Sequence, residues 1–358
     1  CFLALAALDA IAMPCSIALT DREVQALVGK TQPKAVICDP KFGAAGFDGL
    51  TLDSQQVQKF QNLSPVWPIL GDPNRPGYII FTSGTSDQPR AVLHAHRAVW
   101  ARRMMWDGWY GLTPQDVMMH AGALNWTYTL GTGLMDPWAI GASAVIPNTQ
   151  DPADLWQIMR AEKASLFAAA PGIYRRLLQQ PFECPPSLRH GLSAGDVLTH
   201  PVRVSWQDRT QTPICEAFGM TECSTFLSAT PSAPEHLSVQ PGRRIAIFDG
   251  DDLAPLGQVG TIAVDGGDPG LMLGYVEDAA IALPLKNGWY HTADQGLMYA
   301  DGGIDFAGRS GDILNAGGYR VAPREIEQIL EACRGVIEAG VTEVEVRPGV
   351  FVIAAFVV

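Results

Sequence analysis

The chain has 358 residues, of which 47% are hydrophobic and 17% charged, and a formal net charge of −12. That length supports two or three domains with a sizeable core, and the composition is that of a globular enzyme, which excludes a disordered or fibrous chain. The acidic balance argues against a surface for nucleic acid or anionic membrane.

Residues 1–19 are apolar but carry Asp9 and Pro14, lack a basic start and do not open on Met. They read as a helix running into a short strand at Ala12-Met13-Pro14, not as a signal peptide. The spacing predicts an amphipathic helix over 21–28 and a buried strand over 35–38. Residues 61–76, rich in Pro, Asn and Gly, read as a linker. A helix is expected around 95–105 and a strand over 117–119, followed by βα units at 123–148 and 152–180. Strand, helix, a second strand over 213–218 and a turn fill 188–230. From about residue 236 the pattern becomes shorter and β-like, at 244–248, 260–264, 296–299 and 304–307. Gly and Asp punctuate these strands as in an antiparallel subdomain. A polar, glycine-rich boundary then precedes a helix over 323–334 and strands over 341–346 and 350–358.

The expected fold class is α/β. Residues 1–307 form a large N-terminal domain of βα subdomains plus a β-rich subdomain. Residues 308–312 form a hinge, and 313–358 begin a small α+β C-terminal domain. Both ends of the chain read as cut. No segment is long and clean enough to span a membrane. Seven scattered cysteines without a CxxC pair read as reduced thiols of a cytoplasmic protein, neither a zinc site nor a disulfide frame.

The most informative stretch is 78–96, where Tyr-Ile-Ile-Phe runs into Thr82, Ser83, Gly84, Thr85 and Ser86. Small residues let the backbone curl, so that its N–H groups and four hydroxyls point into one concavity. Such a nest binds an anion, and Arg90 adds a cation to the same site. A Ser/Thr-rich surface turn is the plain alternative.

Downstream residues decide between them. Phe81 to His96 resembles the signature loop of the adenylate-forming (AMP-binding) superfamily. Ser-Ala-Gly-Asp at 193–196, Glu-Ala-Phe-Gly-Met-Thr-Glu at 216–222 and Tyr-His-Thr-Ala-Asp-Gln-Gly at 290–296 resemble its later motifs, in the family's order. Gly308-Arg309, Gly318-Tyr319-Arg320, Pro323 and Glu325-Ile326-Glu327 complete the series. The resemblance is to the acyl-CoA synthetase branch, and within it to benzoate and medium-chain acyl-CoA ligases.

That resemblance implies a two-step ligase using ATP, Mg²⁺ and coenzyme A. A carboxylic acid attacks the α-phosphate of ATP, and a thiol then takes the acyl group. Such chemistry depends mostly on positioning and charge neutralisation. By the same resemblance Thr82, Ser83, Gly84, Thr85 and Ser86 hold phosphates, and Arg90 and Thr221 are catalytic. Glu222 offers Mg²⁺ a hard carboxylate. Gly195, Asp196, Glu216, Ala217, Phe218 and Gly219 contact the nucleotide, with Phe218 against the adenine. Asp294 and Arg309 bind the ribose. Trp126 and Tyr128, in the aromatic stretch 122–138, line or gate an acyl pocket suited to an aryl or medium-chain acid. Gly311 is the hinge. The implied partners are the acid and CoA, with the protein a monomer or homodimer.

Three residues depart from the family's pattern: Asp87 for Gly, Arg90 for Lys, and Gly311 for an acidic hinge residue. Asp87 is expected to pair with Arg90. The sequence contains no Lys after Lys286, where the family places a catalytic lysine. This favours binding without turnover for these 358 residues, or a non-catalytic nucleotide-binding relative. A serine hydrolase is the rival enzyme, because Gly191-Leu-Ser193-Ala-Gly195 fits a nucleophile elbow with His236 or His291 as partner. It leaves 81–96 and 308–327 without a role. Gly29-Lys30-Thr31 mimics the end of a P-loop but lacks its upstream glycine.

Overall fold

The computed structural model describes residues 1–39, 41–42, 46–82, 90–277, 280–311, 314–316, 319–321, 323–347 and 350–358. The central layer is a seven-stranded sheet. Its parallel part runs in the spatial order Ile214–Met220, His190–Ser193, Leu166–Ala169, Val117–His120, Ser143–Val145. Ser224–Thr230 and Ala233–Val239 extend it antiparallel. Leu166–Ala169 and His190–Ser193 are buried at every position, as parallel strands covered on both faces require.

Helices Pro152–Ala161, Pro171–Leu178 and His200–Thr210 cover one face, where Leu155, Met159, Tyr174, Leu177 and Trp206 pack with Phe167. The first two begin with proline and the third carries Pro201 at its second position, within the first turn where no intrahelical N–H is lost. Trp109, Tyr110 and Tyr128 fill the other face against Leu192 and Cys215. Two antiparallel sheets complete the main body. One has five strands, ordered Asp252–Leu253, Ile245–Asp249, Gly260–Asp265, Trp289–Met298, Ile304–Arg309. The other has four, ordered Ala280–Ala282, Gly274–Glu277, Arg90–Ala95, Pro76–Thr82.

The expected elements mostly form, with bounds that shift for physical reasons. The 21–28 helix extends over Asp21–Thr31, started by a capping box between Thr20 and Glu23. The helix expected from Ala95 starts at Arg97, because Ala95 still belongs to the 90–95 strand. Its α turns end at Ala101, and tighter and then wider turns carry the chain to Tyr110. The 35–38 strand was expected buried, but Ala35–Ile37 is largely open to solvent. Among the described residues it pairs only with Leu50–Leu52, in a two-stranded parallel sheet, and Ile37 is 42% exposed. Ala12 makes a single bridge to Tyr78 in place of a strand. Toward the C-terminus, helix Pro323–Glu331 stops short of 334, and strands Ala339–Arg347 and Val350–Val357 pair antiparallel.

Candidate nucleotide and acyl site

Every described residue of the expected site except Gly311 lines one cleft of about 2160 Å³. Gly311 lies exposed in a turn beyond it. Ser83, Gly84, Thr85, Ser86 and Asp87 fall outside the described residues, so the expected Asp87–Arg90 pair does too. The residues bracketing that segment are fixed, with Thr82 opposite Arg90 across two antiparallel strands. The Arg90 guanidinium lies over the Tyr275 ring, 3.2 Å from its centre. Stacking of this kind holds the cation at the cleft without neutralising it.

The hairpin between the 214–220 and 224–230 strands places Thr221 and Glu222. Glu222 is only 8% exposed. Its Oε1 accepts a 2.8 Å hydrogen bond from the Tyr275 hydroxyl, and its backbone carbonyl accepts from Met272 N–H at 2.7 Å. The Tyr290 hydroxyl lies 2.9 Å from that of Tyr275. Burial pushes both phenols above their ordinary pKa, so both stay protonated. With the Tyr275 proton committed to Glu222, Tyr290 is the donor in the second bond. A ladder Tyr290 to Tyr275 to Glu222 therefore orients the carboxylate. On the 90–95 strand, burial drives the His94 imidazole down to about 4, against a smaller opposing pull from the Thr221 backbone.

Gly195 follows the 190–193 strand with φ +92°, a left-handed conformation that favours glycine. Gly219 has a different constraint, since a Cβ there would run into the backbone of Ser224 and Thr225. Phe218 is half-buried between Phe226 and Phe306, with one side on the cleft. The Glu216 carboxylate is engaged within the protein: it pairs with Arg203 and accepts from Leu198 N–H at 3.0 Å. Asp294 and Arg309 are register partners on neighbouring strands, with Arg309 Nε 3.5 Å from Asp294 Oδ1.

The two aromatic candidates differ. Trp126 is 55% exposed at the cleft. Tyr128 is buried, edge-on to His120, and donates to the Leu192 carbonyl at 2.9 Å, so it forms wall and core at once. Among the described residues the hydrolase geometry is absent. Ser193 lies fully buried within a strand and its Oγ has no hydrogen-bond partner, which leaves it without a base. His236 faces Asp301 on the surface instead. Gly29-Lys30-Thr31 closes a helix and holds no phosphate-loop geometry.

Sequence reasoning missed Tyr275 as a site residue. Only the pairing of the 274–277 strand with the 90–95 strand brings it to Arg90 and Glu222. Tyr290 stood within the 290–296 motif but carried no separate signal. Among the described residues no group of three or more His, Cys, Asp and Glu is placed to hold a metal.

Residues 1–276 match the family model described as AMP-binding enzyme. Human mitochondrial acyl-coenzyme A synthetase ACSM3 is 30% identical over 278 residues, which is 74% of this chain and 47% of that protein. Benzoate–CoA ligase of Thauera aromatica is 28% identical over 306 residues, 78% of this chain and 57% of that one. The chain thus spans about half the length of the curated relatives it matches. Among solved structures, ATP-bound MatB from Rhodopseudomonas palustris superposes with a TM-score of 0.87 at 24% identity, covering 99% of this chain and 75% of that one. A benzoate CoA ligase from Burkholderia xenovorans LB400 gives 0.86 at 21% identity, covering 100% and 75%. These two likenesses speak to the fold, and the match over 1–276 speaks to descent: the chain belongs to the AMP-binding enzyme family.

Proposed function

We propose that this chain is the nucleotide-binding part of an ATP-dependent acid–thiol ligase that makes an acyl-adenylate and then an acyl-CoA thioester. The observation that carries the reading is convergence. Thr82, Arg90, Phe218, Thr221, Glu222 and Asp294 come from three sheets and meet on one cleft. Arg90 and Thr221 face the phosphates, Phe218 the adenine, and Asp294 with Arg309 the ribose. The donor set suits Mg²⁺, which takes one or two carboxylates plus substrate phosphates and needs no all-protein cage. Glu222 would hold it, with Oε1 fixed by Tyr275. The ion would neutralise phosphate charge.

The names of the relatives support CoA as the thiol, and the benzoate–CoA ligase supports an aryl acid; the aromatic stretch 122–138, with Trp126 and Tyr128 at the pocket, extends the proposal to an aryl or medium-chain acid. The division at 308–312, with Gly311 as hinge, belongs to the same proposal. So does a reducing, cytoplasmic setting, which suits the buried thiols of Cys215 and Cys223. Among the described residues no helix is long and apolar enough to cross a membrane.

Calorimetry with Mg·ATP tests the nucleotide reading. Asp294→Ala should weaken binding about ten- to a hundredfold, the worth of a hydrogen bond to a charged group. A folded wild-type protein that binds no Mg·ATP sinks the proposal. Pyrophosphate release with a panel of acids, in a protein that carries the family's lysine, tests the substrate. Benzoate-like or medium-chain acids should lead, and a preference for acetate overturns that assignment.

A further inference from the structure

Two buried arginines flank the Thr221–Glu222 turn, each held by its own buried aspartate. Arg102, 2% exposed, is gripped by Asp136 through Nε at 3.0 Å and Nη2 at 2.7 Å. Its Nη2 also reaches Thr132 Oγ1 at 3.0 Å, and its Nη1 donates to the Ser224 hydroxyl. On the other flank Arg243 donates from Nε to Asp268 at 2.9 Å. Its Nη2 reaches the Cys223 carbonyl at 2.9 Å and its Nη1 the Thr225 carbonyl at 2.5 Å. Asp268 is fixed in turn by the N–H groups of Arg244 and Gly270, each at 2.8 Å.

Consecutive residues after Glu222 are thus tied by guanidinium N–H groups: Cys223 through its carbonyl, Ser224 through its hydroxyl, Thr225 through its carbonyl. Ser224 sits at φ +57°, an uncommon conformation for a residue with a side chain. Its hydroxyl is the group that Arg102 grips. Two buried Arg–Asp pairs are a poor means of stabilising a fold, because desolvation offsets most of their attraction. Apolar side chains of similar volume would serve stability as well. What they would not supply is a pair of rigid forks aimed at one turn.

We propose that Arg102 and Arg243 are positioning residues that clamp this turn, so that Thr221 and Glu222 meet the nucleotide phosphates and their Mg²⁺ in one geometry. The inference rests on the nucleotide reading above. Neither arginine touches the nucleotide in this account. Both act through the backbone and Ser224.

Ser224→Ala is the cleanest variant, since it cuts the Arg102 tie to the turn and leaves both ion pairs in place. Arg243→Lys keeps the buried charge but gives up the fork. Calorimetry on the full chain should read the Mg²⁺ concentration for half-maximal ATP binding, with adenosine binding and the unfolding midpoint as controls. Both variants should raise the Mg²⁺ requirement about tenfold, as the loss of one charged hydrogen bond implies. Adenosine affinity, set by Phe218 and Asp294, should change less than twofold. If Arg243→Lys does not fold, Ser224→Ala decides alone. An unchanged Mg²⁺ requirement in folded protein overturns the clamp and leaves the nucleotide reading standing. Equal losses for adenosine and Mg·ATP assign the arginines a purely structural role and also overturn it. Wild-type protein that binds neither ligand removes the nucleotide reading and the clamp together.

Discussion

Gly219 and Arg90 show how a single side chain, or its absence, sets the cleft. Gly219 lies where the 214–220 and 224–230 strands approach so closely that any Cβ meets backbone, which cannot yield as a flexible side chain can. Gly219→Ala should therefore destabilise the protein by about 1–3 kcal/mol, the usual cost of overpacking. Urea unfolding measures the loss, and a loss under half a kcal/mol would show that the hairpin can spread. Arg90 has a different vulnerability. Its flat cation stacks on Tyr275, and an ammonium cannot reproduce that contact. Arg90→Lys should weaken Mg·ATP binding severalfold while leaving the unfolding midpoint within about a degree. Calorimetry beside a thermal melt separates these effects.

The strands that feed the cleft carry buried histidines, and these link local burial to acid stability. His94 lies on the 90–95 strand and His120 ends the 117–120 strand; burial pushes their pKa values down to about 4 and about 3. An unfolded imidazole titrates near 6.5, so between the two values the unfolded chain binds more protons. The stability these residues allow is complete above about pH 6.5 and is lost as pH falls toward the folded pKa. At pH 5 each costs about 2 kcal/mol. Urea midpoints should fall steeply from pH 7 to pH 5. His120→Leu should flatten that slope with little change at pH 7, because both His120 nitrogens lack partners. A wild-type midpoint independent of pH over that range would refute the assignment.

The same strands show what the sequence made legible. Val117–His120 stood out as a short, largely apolar run, and Gly260–Asp265 as a β-like stretch set off by Gly and Asp. The cleft's residues were legible from their motifs, since each motif lies within a few positions of chain. Tyr275, Arg102 and Arg243 were not. Their partners lie 53, 122 and 25 positions away, at Glu222, Ser224 and Asp268, and no local pattern encodes such meetings. Ala35–Ile37 was misjudged as buried for the opposite reason, because an apolar run says nothing of how many strands will flank it.

Taken whole, the molecule buries its apolar residues well around the seven-stranded sheet and poorly near its N-terminal part. Between residues 63 and 70, Leu63 is 66% exposed, Val66 67%, Trp67 94%, Ile69 49% and Leu70 87%. Ile17 and Leu50, at 77% and 58%, add to the exposed apolar surface of the first 70 residues. Scattered exposed apolar side chains are ordinary, but five large ones within eight residues are not. The net charge of −12 opposes association through long-range repulsion, and salt screens that repulsion. These 358 residues should therefore self-associate, and more strongly as ionic strength rises. Light scattering at low and high salt measures this directly. Trp67→Ser with Leu70→Ser should lower the association at high salt without moving the unfolding midpoint by more than about a degree, since neither side chain belongs to the core. If the double variant scatters as much light as the parent at every salt concentration, the association runs through another surface. If the parent stays monomeric at high salt, the exposed stretch is tolerated and the prediction fails.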